Sequence, residues 1–372
     1  VKKILYVVST LRCTGPTNQL FNIISNLDRN AFDPILVTLS PEPNDSRWSD
    51  YESLGIEMHS LNLSRLGGTF LAKNRLKKLV SKIKPDAIHT QGFRADVLSA
   101  QLLDRLPKVA TIRNFPQADY SMAYGRFIGM KMAWQHIRAL HRVNLAVGVS
   151  KAVKTNLETE YCLVNTGIVQ NGVDTTTYRP IIEEEKLSLR SKLGLPINSN
   201  IWIVSGSLSE RKDPLFLIKL WEKVISIDCN NILVFIGRGS LEADCKTLAS
   251  KVKNVKILGS VSNVDEYLKA ADFYVSSSVA EGLPNSALEA MACGLPVLLS
   301  DIEPHKEIHN MCPEIGCLFN LGEERSFLES FQALLESDYA VRRQSALNLI
   351  TLELSAEKMS QKYQGIYKSL IS

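Results

Sequence analysis

Two glutamates carry the strongest chemical signal in this 372-residue chain. They are Glu281 and Glu289, in the phrase E-G-L-P-N-S-A-L-E-A-M-A-C-G-L-P-V-L-L-S-D over residues 281–301. Gly282 and Pro284 predict a loop, and Pro284 suits a first helical residue because its missing N–H would be unpaired there anyway. From Ala287 to Cys293 nearly every residue is small or apolar, which predicts a helix buried on most sides and stopped by Gly294 and Pro296. A carboxylate in such a helix is costly unless something satisfies it. Glu289 therefore calls for a partner, and Glu281 precedes a helix start whose N–H groups at Asn285, Ser286 and Ala287 point outward. Loop carboxylate, anion-ready helix end and second carboxylate together suit a ligand with hydroxyls and phosphate. The residues alone leave another reading open, in which Glu281 is solvated and Glu289 has a partner in the core.

Glu281, seven intervening residues, Glu289 and then A-M-A-C-G-L-P-V closely resemble the signature of the retaining, nucleotide-sugar-dependent glycosyltransferases of family 4. That resemblance implies an α/β chain of the GT-B fold, two Rossmann-like doubly wound domains facing across a cleft. It also implies roles. Glu289 would bind the ribose hydroxyls and Glu281 the hydroxyls of the transferred sugar. Gly282, Leu283, Pro284, Asn285 and Ser286 would line the sugar and diphosphate. The family's donor is a nucleotide diphosphate-sugar, here expected to be a UDP-sugar.

The elements that must hold these groups follow from periodicity. Residues 3–10 are a near-continuous apolar run, as in a parallel strand buried on both faces. Further strands are predicted at 34–40, 56–61, 86–90, 109–112 and 145–149, then at 201–205, 232–236, 255–258 and 272–275, with helical segments between. Strand ends are where ligand sites open in such sheets. After the first strand, L-R-C-T-G-P-T-N offers Gly15 as a phosphate-approach turn. It is not G-x-G-x-x-G, so a dinucleotide dehydrogenase is disfavoured. Relatives of the resembling family often have Gly-Gly here, and only Gly15 carries over.

The segment V-Q-N-G-V-D-T-T-T-Y-R-P at 169–180 resembles the family's linker. Domains are accordingly expected at 1–180, for the acceptor, and 181–355, for the nucleotide sugar, with a last helix at about 356–372 returning to the first. In the second domain G-S-L-S-E-R-K-D-P begins at Gly206. The resemblance puts a diphosphate-binding Lys at Lys212, while Ser207 stands where relatives have Arg; Arg211 is adjacent and can fork onto phosphate oxygens. Gly237, in G-R-G-S, matches a pocket-shaping glycine. Glu281, Lys212 and Arg211 are the expected catalytic groups.

Other residues admit blander roles beside chemical ones. His89 ends a strand and suits either a satisfied structural histidine or an acceptor contact. Arg113 stands where relatives often have histidine, and it could pair with a phosphate or acidic acceptor group. His305 and His309 lack the H-E-x-x-H context and are expected on the surface or in a loop. With no D-x-D motif, a metal-independent enzyme without cofactor is expected. Lys73–Lys84 predicts a helix with a solvated basic face or, alternatively, a membrane-surface helix. Gly125–Arg142 spaces Phe127, Met130, Trp134, Ile137 and Leu140 at threes and fours among Arg126, Lys131, Arg138 and Arg142. That fits a helix packed on the sheet or an interfacial amphipathic helix.

Composition bounds the rest. The net charge of +4 is uneven, with 23 Lys or Arg against 14 Asp or Glu in residues 1–180 and 20 against 25 beyond. A basic first half suits anionic lipid or a lipid-diphosphate-linked acceptor, and no finger, helix-turn-helix or RNA-recognition pattern points to nucleic acid. Seven scattered cysteines give no disulfide or zinc pattern. No leader or spanning run is visible, so a cytoplasmic enzyme is expected, with peripheral contact at the inner membrane face also open. The function implied is transfer of a hexose or N-acetylhexosamine to a glycan or lipid-linked glycan in cell-surface polysaccharide or lipopolysaccharide synthesis. A nucleotide-sugar epimerase or hydrolase of the same fold, or a non-catalytic sugar-nucleotide-binding protein, is the competing reading.

Overall fold

Runs of β-branched and apolar residues become parallel strands covered on both faces. The computed structural model describes residues 1–64, 69–102 and 106–371, and the chain divides into two units, Val1–Asn171 with Ala356–Ser372, and Gly172–Ser355.

In the first unit, β1 (Lys2–Val8), β2 (Phe32–Thr38), β3 (Glu57–Ser60), β4 (Ala87–Gln91), β5 (Lys108–Ile112), β6 (Leu145–Gly148) and β7 (Thr166–Ile168) pair in parallel in the order β3-β2-β1-β4-β5-β6-β7. The helices are α1 (Gly15–Ser25), α2 (Trp48–Glu52), α3 (Thr69–Ile83), α4 (Phe93–Ser99), α5 (Pro116–Tyr124), α6 (Arg126–Leu140) and α7 (Lys151–Thr159). Strand side chains alternate between faces. Ile4, Tyr6 and Val8 join one core with Leu20, Ile23 and Ile24 of α1, and Leu5 and Val7 join the other with Leu76 and Val80 of α3.

The first core is closed by the far end of the described chain. Met359, Tyr363 and Tyr367 lie in it, and the two tyrosines are tied to β4 and β5 through His89 and Thr111. His89 Nδ1 lies 2.6 Å from the Tyr367 hydroxyl and its Nε2 2.7 Å from Thr111 Oγ1, which is 2.7 Å from the Tyr363 hydroxyl. Burial first, then the Arg113 charge, lowers His89 to about 3. The histidine is a structural clamp, not an acceptor contact.

Two helices singled out by their basic faces behave oppositely. α3 buries Ala72, Leu76, Val80 and Ile83 and leaves Lys77, Lys78 and Lys82 in water, the solvated-face arrangement. α6 buries Gly129, Ala133, His136, Ala139 and Leu140 instead. A Cβ at Gly129 would lie 2.4 Å from the Ser121 backbone, so close packing on α5 needs glycine there. Phe127, Met130 and Trp134 consequently face outward. A stripe packed on the sheet is not what forms.

The second unit opens with α8 (Glu183–Lys192), whose Lys186 and Arg190 grip Asp272, each at 2.5 Å. Its strands β8 (Asn200–Ser205), β9 (Asn231–Ile236), β10 (Val255–Ile257), β11 (Phe273–Ser276), β12 (Val297–Ser300) and β13 (Gly316–Phe319) run in the order β10-β9-β8-β11-β12-β13. Its remaining helices are α9 (Pro214–Ile227), α10 (Glu242–Ala249), α11 (Val264–Ala270), α12 (Asn285–Ala292), α13 (Glu303–Met311), α14 (Glu324–Glu336) and α15 (Tyr339–Glu353). The chain then re-enters the first unit as α16 (Ala356–Ile371). Trp202, Trp221, Phe235, Phe327 and Phe331 dominate the second unit's core.

Candidate functional site

The loops after β8, β9 and β11 and the start of α12 bring most of the expected residues together. Gly206 follows β8 at φ +134°, and a Cβ there would lie 3.4 Å from Lys212 Cε. Gly237 follows β9 at φ +139°, and its Cβ would fall 1.8 Å from the Gly206 carbonyl oxygen. Glycine is needed at 237 for two strand-end loops to touch backbone to backbone, and at 206 because an L side chain would be strained. The loop after β8 is then docked on the loop after β11. Ser277 Oγ donates to the carbonyls of Lys212 and Asp213, and Val279 N donates to the Arg211 carbonyl at 2.9 Å.

That docking delivers the two cations to Glu281. Lys212 Nζ lies 2.5 Å from Glu281 Oε1, and Arg211 lies 3.3 Å from Oε2 while donating to the Ala280 carbonyl at 3.0 Å. Ser278 Oγ also donates to Glu281 Oε1 at 2.9 Å. Burial alone would raise the carboxyl, but Lys212 and then Arg211 outweigh it and hold Glu281 below its ordinary pKa. Burial alone would lower the ammonium, but Glu281 outweighs it and holds Lys212 above its ordinary value. Glu281 is therefore neither solvated nor free in this structure: it is a buried anion inside a cation pair.

Glu289 is in the opposite state. It sits at mid-helix in α12, half-buried, and its side chain makes no hydrogen bond or ion pair among the described residues. Burial, eased slightly by the Lys212 charge, pushes its carboxyl up to about 7. α12 has Pro284 as its cap rather than its first residue, and Gly294 follows it at φ +83°. Gly282, Leu283 and Pro284 are buried, while Asn285 and Ser286 are half-buried, with Ser286 Oγ 2.8 Å from the Tyr274 hydroxyl. An ionised carboxylate, a carboxyl poised near neutrality, two cations and a helix start share one strand-end region.

Other positions fall elsewhere. Gly15 opens α1 in the first unit, with Thr14 as cap. Ser207, exposed, lies 3.1 Å from Ser209 Oγ. Arg113, at the end of β5, donates to the amide oxygens of Gln91 and Asn171, the latter at 2.7 Å, and has no carboxylate partner among the described residues. His305 is no surface residue: it is fully buried in α13, its Nδ1 2.8 Å from the Ser300 carbonyl, and burial lowers it to about 4. Among the described residues no group of three His, Cys, Asp or Glu side chains could hold a metal ion, and all seven cysteines are free. The sequence reading missed Ser278, Tyr274 and Tyr178. Tyr178 lies near enough to Glu289 for the carboxylate charge to add to burial in raising its phenol. The serine run just before Glu281 was the one available signal.

Residues 14–177 match the family model described as Glycosyltransferase Family 4, and residues 199–337 match that described as Glycosyl transferases group 1. The chain is 27% identical over 243 residues to the UDP-Gal:alpha-D-GlcNAc-diphosphoundecaprenol alpha-1,3-galactosyltransferase of Escherichia coli, covering 61% of this chain and 60% of the relative. It is 32% identical over 179 residues to the putative glycosyltransferase EpsD of Bacillus subtilis, covering 46% of each. The chain thus spans about half to three fifths of the length of these curated relatives. The crystal structure of Anabaena HepE in complex with UDP and glucose superposes with a TM-score of 0.81 at 18% identity, covering 99% of this chain and all of HepE.

Proposed function

The chain belongs to glycosyltransferase family 4 and has that family's GT-B fold of two Rossmann-like units, and from this premise we propose that it is a retaining glycosyltransferase. The donor is a nucleotide diphosphate-sugar, a UDP-sugar by preference, carrying a hexose or N-acetylhexosamine. The acceptor is a glycan or lipid-linked glycan of cell-surface polysaccharide or lipopolysaccharide. HepE's complex with UDP supports the base, and the diphosphoundecaprenol acceptor of the E. coli relative supports a lipid-linked acceptor. The observation that carries the reading is the contrast between the two glutamates, one ionised against Lys212 and Arg211, the other half-buried, unpartnered and poised near pH 7.

Departure of the diphosphate builds negative charge, and fixed cations and helix N–H groups favour that state over the ground state. Lys212, Arg211 and the start of α12 supply them. A bound diphosphate competes with Glu281 for both cations, so Glu281 is released as an acceptor for sugar hydroxyls when the donor arrives. Glu289 ionises on accepting the ribose hydroxyls, since hydrogen bonds to the charged form favour it. Gly282 to Ser286 line the sugar and diphosphate, and Gly206 and Gly237 keep their loops close enough to hold the cations. Gly15 is the first unit's candidate for phosphate approach. Arg113, bonded only to amide oxygens, suits an anionic group on the acceptor. Retention is assigned to same-face attack, with the acceptor hydroxyl's proton passing to the leaving phosphate.

The test separates the two sides of the ion pair. Glu281→Gln lowers transfer by about a hundredfold or more yet leaves UDP binding intact or tighter, because Lys212 no longer has to leave a carboxylate. Lys212→Ala weakens UDP binding and transfer together. Both are read by titration calorimetry with UDP and by transfer to acceptor. Full transfer in both variants refutes the site, and rapid turnover of the nucleotide sugar without acceptor favours an epimerase or hydrolase.

A further inference from the structure

The α5–α6 hairpin exposes its large apolar side chains. Met122, Tyr124, Phe127, Ile128, Met130 and Trp134 are all exposed, Phe127 at 90%. An isolated exposed Leu or Phe is ordinary, but a contiguous apolar patch marks an interaction surface. α6 buries a stripe of small residues and His136, and α3 in the same unit does the reverse. The outward face is not a frayed end. Asp96 Oδ2 lies 2.8 Å from His136 Nε2, and His136 Nδ1 lies 2.9 Å from the Tyr120 hydroxyl, so a buried polar chain ties α4, α5 and α6 together.

Charge decides what this face meets. The α5–α6 hairpin, residues 116–140, contains three Lys or Arg and a single acidic residue, the half-buried Asp119. Arg126, Lys131 and Arg138 are exposed around the apolar patch, and the Arg138 guanidinium lies over the Trp134 ring at 5.4 Å. An apolar stripe with a cationic border complements an anionic bilayer, whose acyl boundary takes the aromatics and whose phosphates take the cations. Among the described residues no helix is long and apolar enough to cross a membrane, so the mode is surface attachment. α5 also begins just past the carboxyl end of β5, the end at which ligand sites of parallel sheets open.

We propose that the α5–α6 hairpin is a membrane-docking surface that seats the first unit on an anionic bilayer through Phe127, Ile128 and Trp134, with Arg126, Lys131 and Arg138 on lipid phosphates. A lipid-borne acceptor then lies at the sheet end that carries Arg113. The docking stands on the hairpin alone and does not require the transferase reading.

The full chain is mixed with vesicles of phosphatidylcholine, with and without about 30% phosphatidylglycerol, and binding is read by flotation and by tryptophan emission. Trp202 and Trp221 are fully buried and Trp48 is half-buried, so a blue shift on binding that Trp134→Phe removes reports this face. Binding to the anionic vesicles only is expected, weakened by about 0.5 M NaCl. Phe127→Ser with Trp134→Ser reduces it by about tenfold or more. Arg126→Ala with Lys131→Ala reduces it about thirtyfold, at roughly fivefold per cation, with UDP binding and circular dichroism unchanged in both variants. No binding by the intact chain, or equal binding by the serine variant, overturns the proposal. A concentration-dependent dimer that the serine variant abolishes, with no vesicle binding, overturns it in favour of a second copy of the chain.

Discussion

Glu289→Gln should stabilise the protein while it damages the site. The carboxyl is pushed up to about 7 by burial, whereas an unfolded chain leaves it near 4.3. The folded state therefore binds the extra proton between these values, and the stability contributed by this group falls as pH rises through the interval. A shift of that size corresponds to about 4 kcal/mol above pH 7, trimmed to about 2 kcal/mol because the side chain is only half-buried. Glutamine keeps the shape without the charge. For a unit of about 180 residues, 2 kcal/mol raises the melting temperature by roughly 5 °C. Thermal unfolding of both proteins should show that gain at pH 8 and little of it at pH 5. UDP titration should show the opposite sign, with affinity lost by about tenfold as a charge-assisted bond becomes a neutral one. Binding by the wild type should also expel up to roughly three quarters of a proton at pH 6.5, seen as a dependence of heat on buffer. A gain equal at pH 5 and pH 8 would refute the burial argument, and unchanged UDP affinity would refute the ribose assignment.

Two further outcomes follow from packing. Gly237→Ala places a Cβ 1.8 Å from the Gly206 carbonyl at a φ of +139° and should cost about 3 kcal/mol or more, visible as a lower denaturant midpoint and weaker UDP binding. His89, lowered to about 3 by burial, stays neutral in the fold while the unfolded chain protonates near 6.5, so stability falls as pH drops from 6.5 toward 3. His89→Gln should flatten that slope in urea melts taken between pH 6.5 and 4, at the expense of lower stability at pH 7; an unchanged slope would remove His89 as its source.

Periodicity was enough for most strands because buried parallel strands are written as unbroken apolar runs. β12 and β13 escaped it. β12 is four residues directly after α12, and β13, G-C-L-F, begins with a glycine whose Cβ would fall 1.8 Å from the Val297 carbonyl oxygen. That glycine serves a close approach, which no local pattern announces. His305 was read outward for the same reason, since without β12 nothing placed α13 against a core. At the site, Glu289 was legible as a charge in an apolar helix, though not its lack of a protein partner. The Lys212–Glu281 pair was not, because it depends on Ser277 and Val279 docking one loop on another across some 65 residues of sequence. The outward turn of α6 depended on Gly129, a residue that hydrophobic spacing does not weigh.

The passage of the chain out of the first unit at Asn171 and back at Ala356 has a consequence for biosynthesis. Tyr367, whose hydroxyl bonds His89, and Tyr363, whose hydroxyl bonds Thr111 beside it, help close the core over β1 and β4. A nascent chain carrying every strand of the N-terminal sheet has α1 over that core but still lacks the cover of α16 until the whole of residues 172–355 has been made. The later-made half can reach its native state first, and the earlier-made half waits with an apolar flank exposed, which makes it the portion most in need of a chaperone during translation.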